Sequence, residues 1–435
     1  MIDISKAQIE NPKRAPENGK THRVELFPYY PGYSASFTEE LLASLELKRN
    51  SVILDPWNGC GTTTKVAASM GYAAIGCDLN PVMVLIANAN QVSPLEARAI
   101  VPLAQQICKK MVSGEPLDTD FNDPLLYWLA PSSVKAIRRI EAQINRLLIN
   151  SDSYMRISSL ESMSLISPIA AVMYVGLFRM CRSLLHTFYG SNPTWVKKPR
   201  EAANRRRPSE QQINAAYQIE IAFLSNAIAN WQQASFKEVQ VPLLFKANST
   251  ALPIIDESVD LVLTSPPYCT RIDYAVATSV ELALLRVSSD EFSELRRAML
   301  GTSTVPKQSE DGLSLGSSCE TFLDSLKRHS SVASAGYYFK NHLQYFQGIH
   351  RSIAEISRTV RRGGSMVTIV QDSYYKNIHN DLPKIFSEMA EAVGMALQRR
   401  VDFATSRSMV TINSKARLHK QQRTTIESVL CFRKN

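Results

Sequence analysis

Ser51-Val52-Ile53-Leu54-Asp55-Pro56-Trp57-Asn58-Gly59-Cys60-Gly61-Thr62-Thr63-Thr64 decides how this chain folds. Residues 52–54 are apolar and mostly β-branched, and read as a short buried strand that ends in an acid. Pro56 to Gly61 cannot continue a strand. Glycines at 59 and 61 let backbone approach a ligand closely, and the helix restarting at Thr62 offers unpaired N–H groups and a positive dipole end. A second strand at 73–77 stops at Asp78, where a carboxylate is placed to accept hydrogen bonds from ribose hydroxyls. With a helix from Asn80-Pro81, the unit is β-α-β-α and binds a nucleotide-like ligand.

Downstream, the apolar run 259–263 reads as another buried strand and delivers Thr264-Ser265-Pro266-Pro267-Tyr268. Two prolines stiffen the turn and donate nothing, while their carbonyls still accept. A rigid, acceptor-rich corner ending in an aromatic ring suits a flat group bearing an NH2. Further strands are expected at 241–245, 366–371, 396–403 and 426–432. Helices are expected from Ser36 (a Ser36/Glu39 capping box), over 275–287, over 337–361 with a stop at Arg361-Arg362-Gly363-Gly364, and over 382–393.

Between 94 and 238 the strand pattern gives way to helical periodicity at 95–111, 132–148, 169–188 and 210–231. The expected organisation is therefore a catalytic α/β domain, 1–93 and 239–435, of Rossmann-like doubly wound type. A helical insertion at 94–238 interrupts it, and a second, Ser/Gly-rich and partly mobile insertion falls at 288–335. Residues 1–23 read as a loosely ordered lead-in.

At 435 residues the chain has room for one large domain or two ordinary ones, and its 45% apolar content supports a sizeable core. A formal charge of +9 favours a polyanionic partner, though it is also compatible with simple solubility. The seven cysteines are scattered, with no C-x-x-C pair, so neither a disulfide framework nor a zinc site is expected and no metal is assigned. Reduced thiols, no leader-like segment and interrupted apolar runs point to the cytoplasm.

Leu54 to Thr63 resembles the D-P-F-x-G-x-G-T-T cofactor motif of amino-methylating DNA methyltransferases, with Trp57 in place of the usual Phe. Thr264 to Tyr268 resembles their S-P-P-Y or D-P-P-Y catalytic turn. The resemblance covers about 24–92 and 240–435, and leaves out the helical insertion. It implies a class I methyltransferase sheet and S-adenosylmethionine as cofactor. Asp55, Pro56, Gly59, Gly61 and Thr62 would hold its methionine part, Asp78 the ribose, and Asn248 would lie near the adenine. Tyr30 belongs to an aromatic segment that would close over it. Ser265, Pro266, Pro267 and Tyr268 would be catalytic. Double-stranded DNA is the implied substrate, with a separate restriction endonuclease as a partner. Serine at 265 favours N4 of cytosine over N6 of adenine.

Other readings of the same residues are open. Asn248-Ser249 reads equally as a plain turn, and Tyr29, Tyr30 and Tyr33 equally as packing against the first helix. Trp195, Lys197, Lys198, Arg200, Arg205, Arg206 and Arg207 form either a solvated charged face or a nucleic-acid contact; the tryptophan and prolines among them favour contact. Lys415, Arg417, His419, Lys420 and Arg423 are a weaker phosphate-contact candidate. Arg271 and Asp273 read as a pair fixing the loop after the turn. A dinucleotide oxidoreductase is disfavoured because the third glycine of Gly-x-Gly-x-x-Gly is missing. An RNA base methyltransferase and a non-catalytic binding module complete the alternatives.

Overall fold

Strands whose residues are apolar on both faces must be covered on both sides, and 52–55 and 259–264 lie in the middle of one seven-stranded sheet. The computed structural model describes residues 4–13, 25–28, 32–109, 122–190, 195–230, 240–269, 272–305, 313–405 and 425–435. Tyr29, Tyr30, Arg271 and the basic cluster from Lys415 to Arg423 lie outside the described residues.

The sheet strands are β1 (Val52–Asp55), β2 (Ala73–Asp78), β3 (Leu243–Lys246), β4 (Val259–Thr264), β5 (Val360–Gln371), β6 (Met395–Thr405) and β7 (Thr425–Lys434). Their spatial order is β3-β2-β1-β4-β5-β7-β6. The first five are parallel, and β7 runs antiparallel between β5 and β6. The winding direction reverses between β1 and β4, so the crevice at their carboxyl ends is the topological switch point where doubly wound sheets bind ligands. The expected Rossmann-like sheet is present.

Helices α1 (Ala35–Ser44), α2 (Thr62–Ser69) and α3 (Pro81–Ala89) flank its first half. Helix α1 is capped by Ser34, whose hydroxyl accepts the Phe37 N–H at 3.2 Å. The Ser36/Glu39 box is therefore not the cap; Ser36 instead meets the Ser34 hydroxyl. In the insertion lie α4 (Ala97–Lys109), α5 (Pro131–Leu148), α6 (Pro168–Leu184) and α7 (Glu210–Ala229). They bury one apolar cluster together with α3 and the short helix Ser279–Leu284. Gly176 lets α6 and α7 approach closely: a Cβ there would stand 2.6 Å from Ile221 Cδ1.

Arg138, 2% exposed, fastens the insertion to the sheet domain. It pairs with Asp123 at 2.7 Å and donates to the Ala283 and Leu284 carbonyls. Arg286 answers from the other side with a 3.0 Å pair to buried Glu141.

Three boundaries differ from the sequence reading. The long helix is Phe339–Thr359, and Arg361-Arg362-Gly363-Gly364 already belongs to β5. The amides of Glu257 and Ser258 bind the Arg358 and Thr359 carbonyls and draw the chain into the sheet. The 275–287 helix is two, Tyr274–Ala277 and Ser279–Leu284, broken at Thr278. The Thr278 hydroxyl donates to the Tyr274 carbonyl and accepts from Asn80 Nδ2. Within 288–335, Ser289–Ala298 and Ser317–Arg328 are helices, the first with a Ser288/Glu291 capping box. Serines read there as loop formers are in part helix caps.

Candidate active site

The turn between β1 and α2 is built on two left-handed glycines, Gly59 at φ 49° and Gly61 at φ 85°. A Cβ on Gly61 would come within 2.9 Å of Ala87 Cβ. Gly61 thus serves close packing on α3, and it does not line the cleft. Asn58 closes the turn: its amide donates to the Cys77 carbonyl and its Oδ1 accepts from Thr64. The side chain lies over Gly76, where a Cβ would be 2.4 Å from Asn58 Nδ2.

Asp78 receives the Gly59 N–H at 3.0 Å and the Asn80 N–H at 2.8 Å, one on each oxygen. Asp55 accepts the Thr264 hydroxyl at 2.6 Å and the Trp57 N–H on Oδ1, and the Tyr33 hydroxyl on Oδ2. Burial pushes both carboxyls up to about 6, and their hydrogen bonds oppose that shift. Tyr33 also meets Thr63 and the Leu263 carbonyl, which ties the start of α1 to the strand ends, and it lines the same cleft as the two carboxylates.

From β4 the chain delivers the second half of the site. The Ser265 hydroxyl donates to the Ile369 carbonyl at 3.0 Å. Tyr345 donates to the Pro267 carbonyl at 2.9 Å, and the Tyr268 N–H donates to the Tyr274 hydroxyl at 3.2 Å. Lys13 pairs with buried Glu427 at 2.8 Å and holds its Nζ 5.8 Å from the Tyr268 ring centre. The turn is fixed from three sides.

Asp55, Pro56, Gly59, Thr62, Asp78, Asn248 and Ser265 through Tyr268 line one cleft at the switch point. The Asn248 Oδ1 accepts the Thr250 N–H, so the side chain both shapes its own turn and faces the cleft. Among the described residues its lining includes two carboxylates and no lysine, arginine or histidine. That charge pattern suits a cationic, hydroxyl-bearing ligand such as S-adenosylmethionine. The residues present therefore fit the cofactor.

Sequence reasoning missed one wall. Met299 and Leu300 close the cleft, with Leu300 seated on Gly348, where a Cβ would be 2.2 Å from Leu300 Cδ2. The apolar pair followed by Gly301 is the only local signal, and it says nothing of a partner fifty residues on.

The basic strip lies elsewhere. Trp195 is 49% exposed, and Lys197, Lys198, Arg200, Arg206 and Arg207 are exposed while Arg205 is half-buried. The Lys197 carbonyl accepts the Trp128 indole N–H, Lys198 Nζ stands 3.8 Å from the Tyr127 ring centre, and the Arg206 guanidinium reaches the Leu184 carbonyl. These residues run along the insertion, and none lines the cleft.

Residues 13–89 match the DNA methylase family. The type II methyltransferase M.BsoBI of Geobacillus stearothermophilus is 24% identical over 310 residues, covering 64% of this chain and 56% of that protein. The chain thus spans just over half of that relative. The type II methyltransferase M.AvaI of Anabaena variabilis is 23% identical over 411 residues, covering 88% of this chain and 81% of that protein. Among solved structures, a S-adenosylmethionine-dependent methyltransferase of Methanosarcina mazei aligns with a TM-score of 0.26 at 9% identity, covering 89% of this chain and 94% of the other. A geranyl diphosphate methyltransferase in complex with S-adenosylmethionine aligns with a TM-score of 0.30 at 8% identity, covering 92% of each. Residues 13–89 are thus similar to the DNA methylase family, and longer stretches of the chain are similar to two type II methyltransferases.

Proposed function

We propose that this chain methylates the exocyclic amine of a base extruded from double-stranded DNA, at N4 of cytosine. The observation that carries the reading is the Ser265–Ile369 hydrogen bond inside the acidic cleft. Because the hydroxyl hydrogen is committed to a backbone carbonyl, only oxygen lone pairs face the cleft. Ser265 can then accept from an amine and cannot compete with it as a donor.

Bound S-adenosylmethionine supplies an electrophilic methyl group. Asp78 accepts from its ribose hydroxyls, and Asp55 with the Gly59 turn holds its amino-acid end. Ser265 and the Pro266 carbonyl take the two hydrogens of the target amine, which orients the nitrogen lone pair toward the methyl. Tyr268, held by Tyr274 and flanked by Lys13, stacks on the ring. Extrusion costs a few kcal/mol, and most of the rate gain is positioning. The newly methylated amine then loses one proton to solvent.

The helical insertion, with its strip from Trp195 to Arg207, is the proposed target-recognition region, and the site belongs to a restriction–modification system with a separate endonuclease in the cytoplasm. Serine at 265 supports cytosine; N6 of adenine presents a similar amine beside a ring nitrogen and is the second reading. Labelled methyl transfer to plasmid DNA, followed by nucleoside mass spectrometry, decides between them. N4-methylcytosine is expected, N6-methyladenine alone overturns the choice of base, and label entering RNA alone overturns DNA.

A further inference from the structure

Behind the Met299–Leu300 wall lies a second cavity, which shares Asn248 and residues 298–300 with the cleft. One side is the start of the helix Phe339–Thr359. Lys340, Gln344, Gln347 and Arg351 follow at spacings of four, three and four, which puts them on one helical face. That stripe spans roughly 16 Å at 1.5 Å per residue. Arg297, at the end of the helix Ser289–Ala298, faces it from across the cavity. Among the described residues, three cationic side chains and several amides line the space and none of the lining is acidic. The cleft next door has the opposite character.

The cavity is also mechanically joined to the catalytic turn. Tyr345 lines it and donates to the Pro267 carbonyl. Asn341 lines it and donates to the Thr302 carbonyl at 2.7 Å, fixing the wall. Whatever fills it lies one layer of chain from the target base.

We infer that Arg297, Lys340 and Arg351 form a seat for the phosphodiester backbone beside the extruded nucleotide. The inference rests on the DNA methyltransferase reading and adds to it where the strand is gripped. The guanidiniums of Arg297 and Arg351 and the ammonium of Lys340 supply charge for phosphates of one strand, and the amides of Gln344 and Gln347 add neutral donors. These contacts hold the flanking backbone while the base occupies the cleft. The Trp195–Arg207 strip grips DNA elsewhere.

The test compares wild type with the triple variant R297Q/K340Q/R351Q. DNA affinity is measured between 50 and 200 mM salt, and S-adenosylmethionine affinity by calorimetry. Each phosphate contact contributes about −0.9 to the log–log salt slope, so the variant's slope should be shallower by about 2.7. Over that salt range the difference amounts to roughly 40-fold in relative affinity. Cofactor affinity should stay within twofold, which also shows that the variant folds. A slope and DNA affinity equal to wild type overturn the seat while leaving the methyltransferase reading intact. Wild type that binds cofactor but no DNA overturns both. Saturable binding of inorganic phosphate to wild type, lost in the variant with the DNA slope unchanged, assigns the cavity to a free anion and also overturns it.

Discussion

Ser265 stands 3.0 Å from the Ile369 carbonyl, donating its only hydroxyl hydrogen across from β4 to β5. The Ser265–Tyr268 turn is therefore registered against its neighbour strand by a side chain as well as by the ladder, in which Thr264 faces Thr368. Ser265→Ala removes the acceptor and leaves the prolines in place. Loss of a hydrogen bond worth about 1.5–3 kcal/mol in the transition state lowers kcat by roughly 10- to 100-fold. Cofactor affinity should not change. Full methylation activity in the variant would remove the hydroxyl from the mechanism.

Asp78→Asn tests the other half of the cleft. The amide keeps the shape and one acceptor, so the Gly59 and Asn80 N–H groups compete for it and the ribose loses its charged partner. Calorimetry should show S-adenosylmethionine binding weaker by roughly 10- to 100-fold, from a charged hydrogen bond of about 1.5–3 kcal/mol. An unchanged affinity would mean that Asp78 serves only the glycine turn.

Acid should act on the empty and the loaded protein in opposite directions. Burial raises Asp55 and Asp78 from 3.8 to about 6. Between those values the folded chain binds protons that the unfolded chain has released, so lowering the pH through 6 adds stability to the empty protein. A cationic ligand, by contrast, needs the carboxylates ionised. Cofactor affinity should fall by about tenfold per pH unit below 6 for each carboxylate involved. The Tm gap between D55N and wild type should narrow over the same window. Affinity that is flat from pH 7 to 5 would contradict this electrostatic account.

Arg138→Leu leaves Asp123 buried without its cation and Glu141 with Arg286 alone, and strips the Ala283 and Leu284 carbonyls of a donor. A broken buried pair costs about 3–5 kcal/mol. Thermal denaturation should show a drop in Tm of several degrees. The cleft should loosen as well, because the helix that starts at Ser289 follows directly. A variant melting with wild type would show that the insertion does not depend on this clamp.

What could be read from the sequence was what local chemistry determines. Apolar runs ending in Asp55, Asp78 and Thr264 gave their strands, and Pro56 through Gly61 gave the turn between them. The partners that lie far along the chain were not legible. Lys13 looked like part of a loose lead-in, yet Ile4 and Ala7 are buried under the sheet and Lys13 reaches Glu427 and Tyr268. Leu300 sits in a loop by composition, and only Gly348 makes it a wall. Arg361 looked like a helix end, but its pair with Asp260 at 2.6 Å belongs to the sheet. Ser34 outcompeted Ser36 as a cap because its hydroxyl, two residues earlier, reaches the Phe37 amide.

The position of β7 sets a timetable for synthesis. Residues 425–434 fill the gap between β5 and β6, with Ser365 opposite Arg433 and Gln371 opposite Glu427. A ribosome releases β5 well before it releases β7. In that interval β5 has one bare flank carrying Met366, Val367, Ile369 and Val370, all of which end up buried. Such an edge pairs readily with other chains. Nascent chains halted before 425 should therefore depend on chaperones, and those extended through 434 should not.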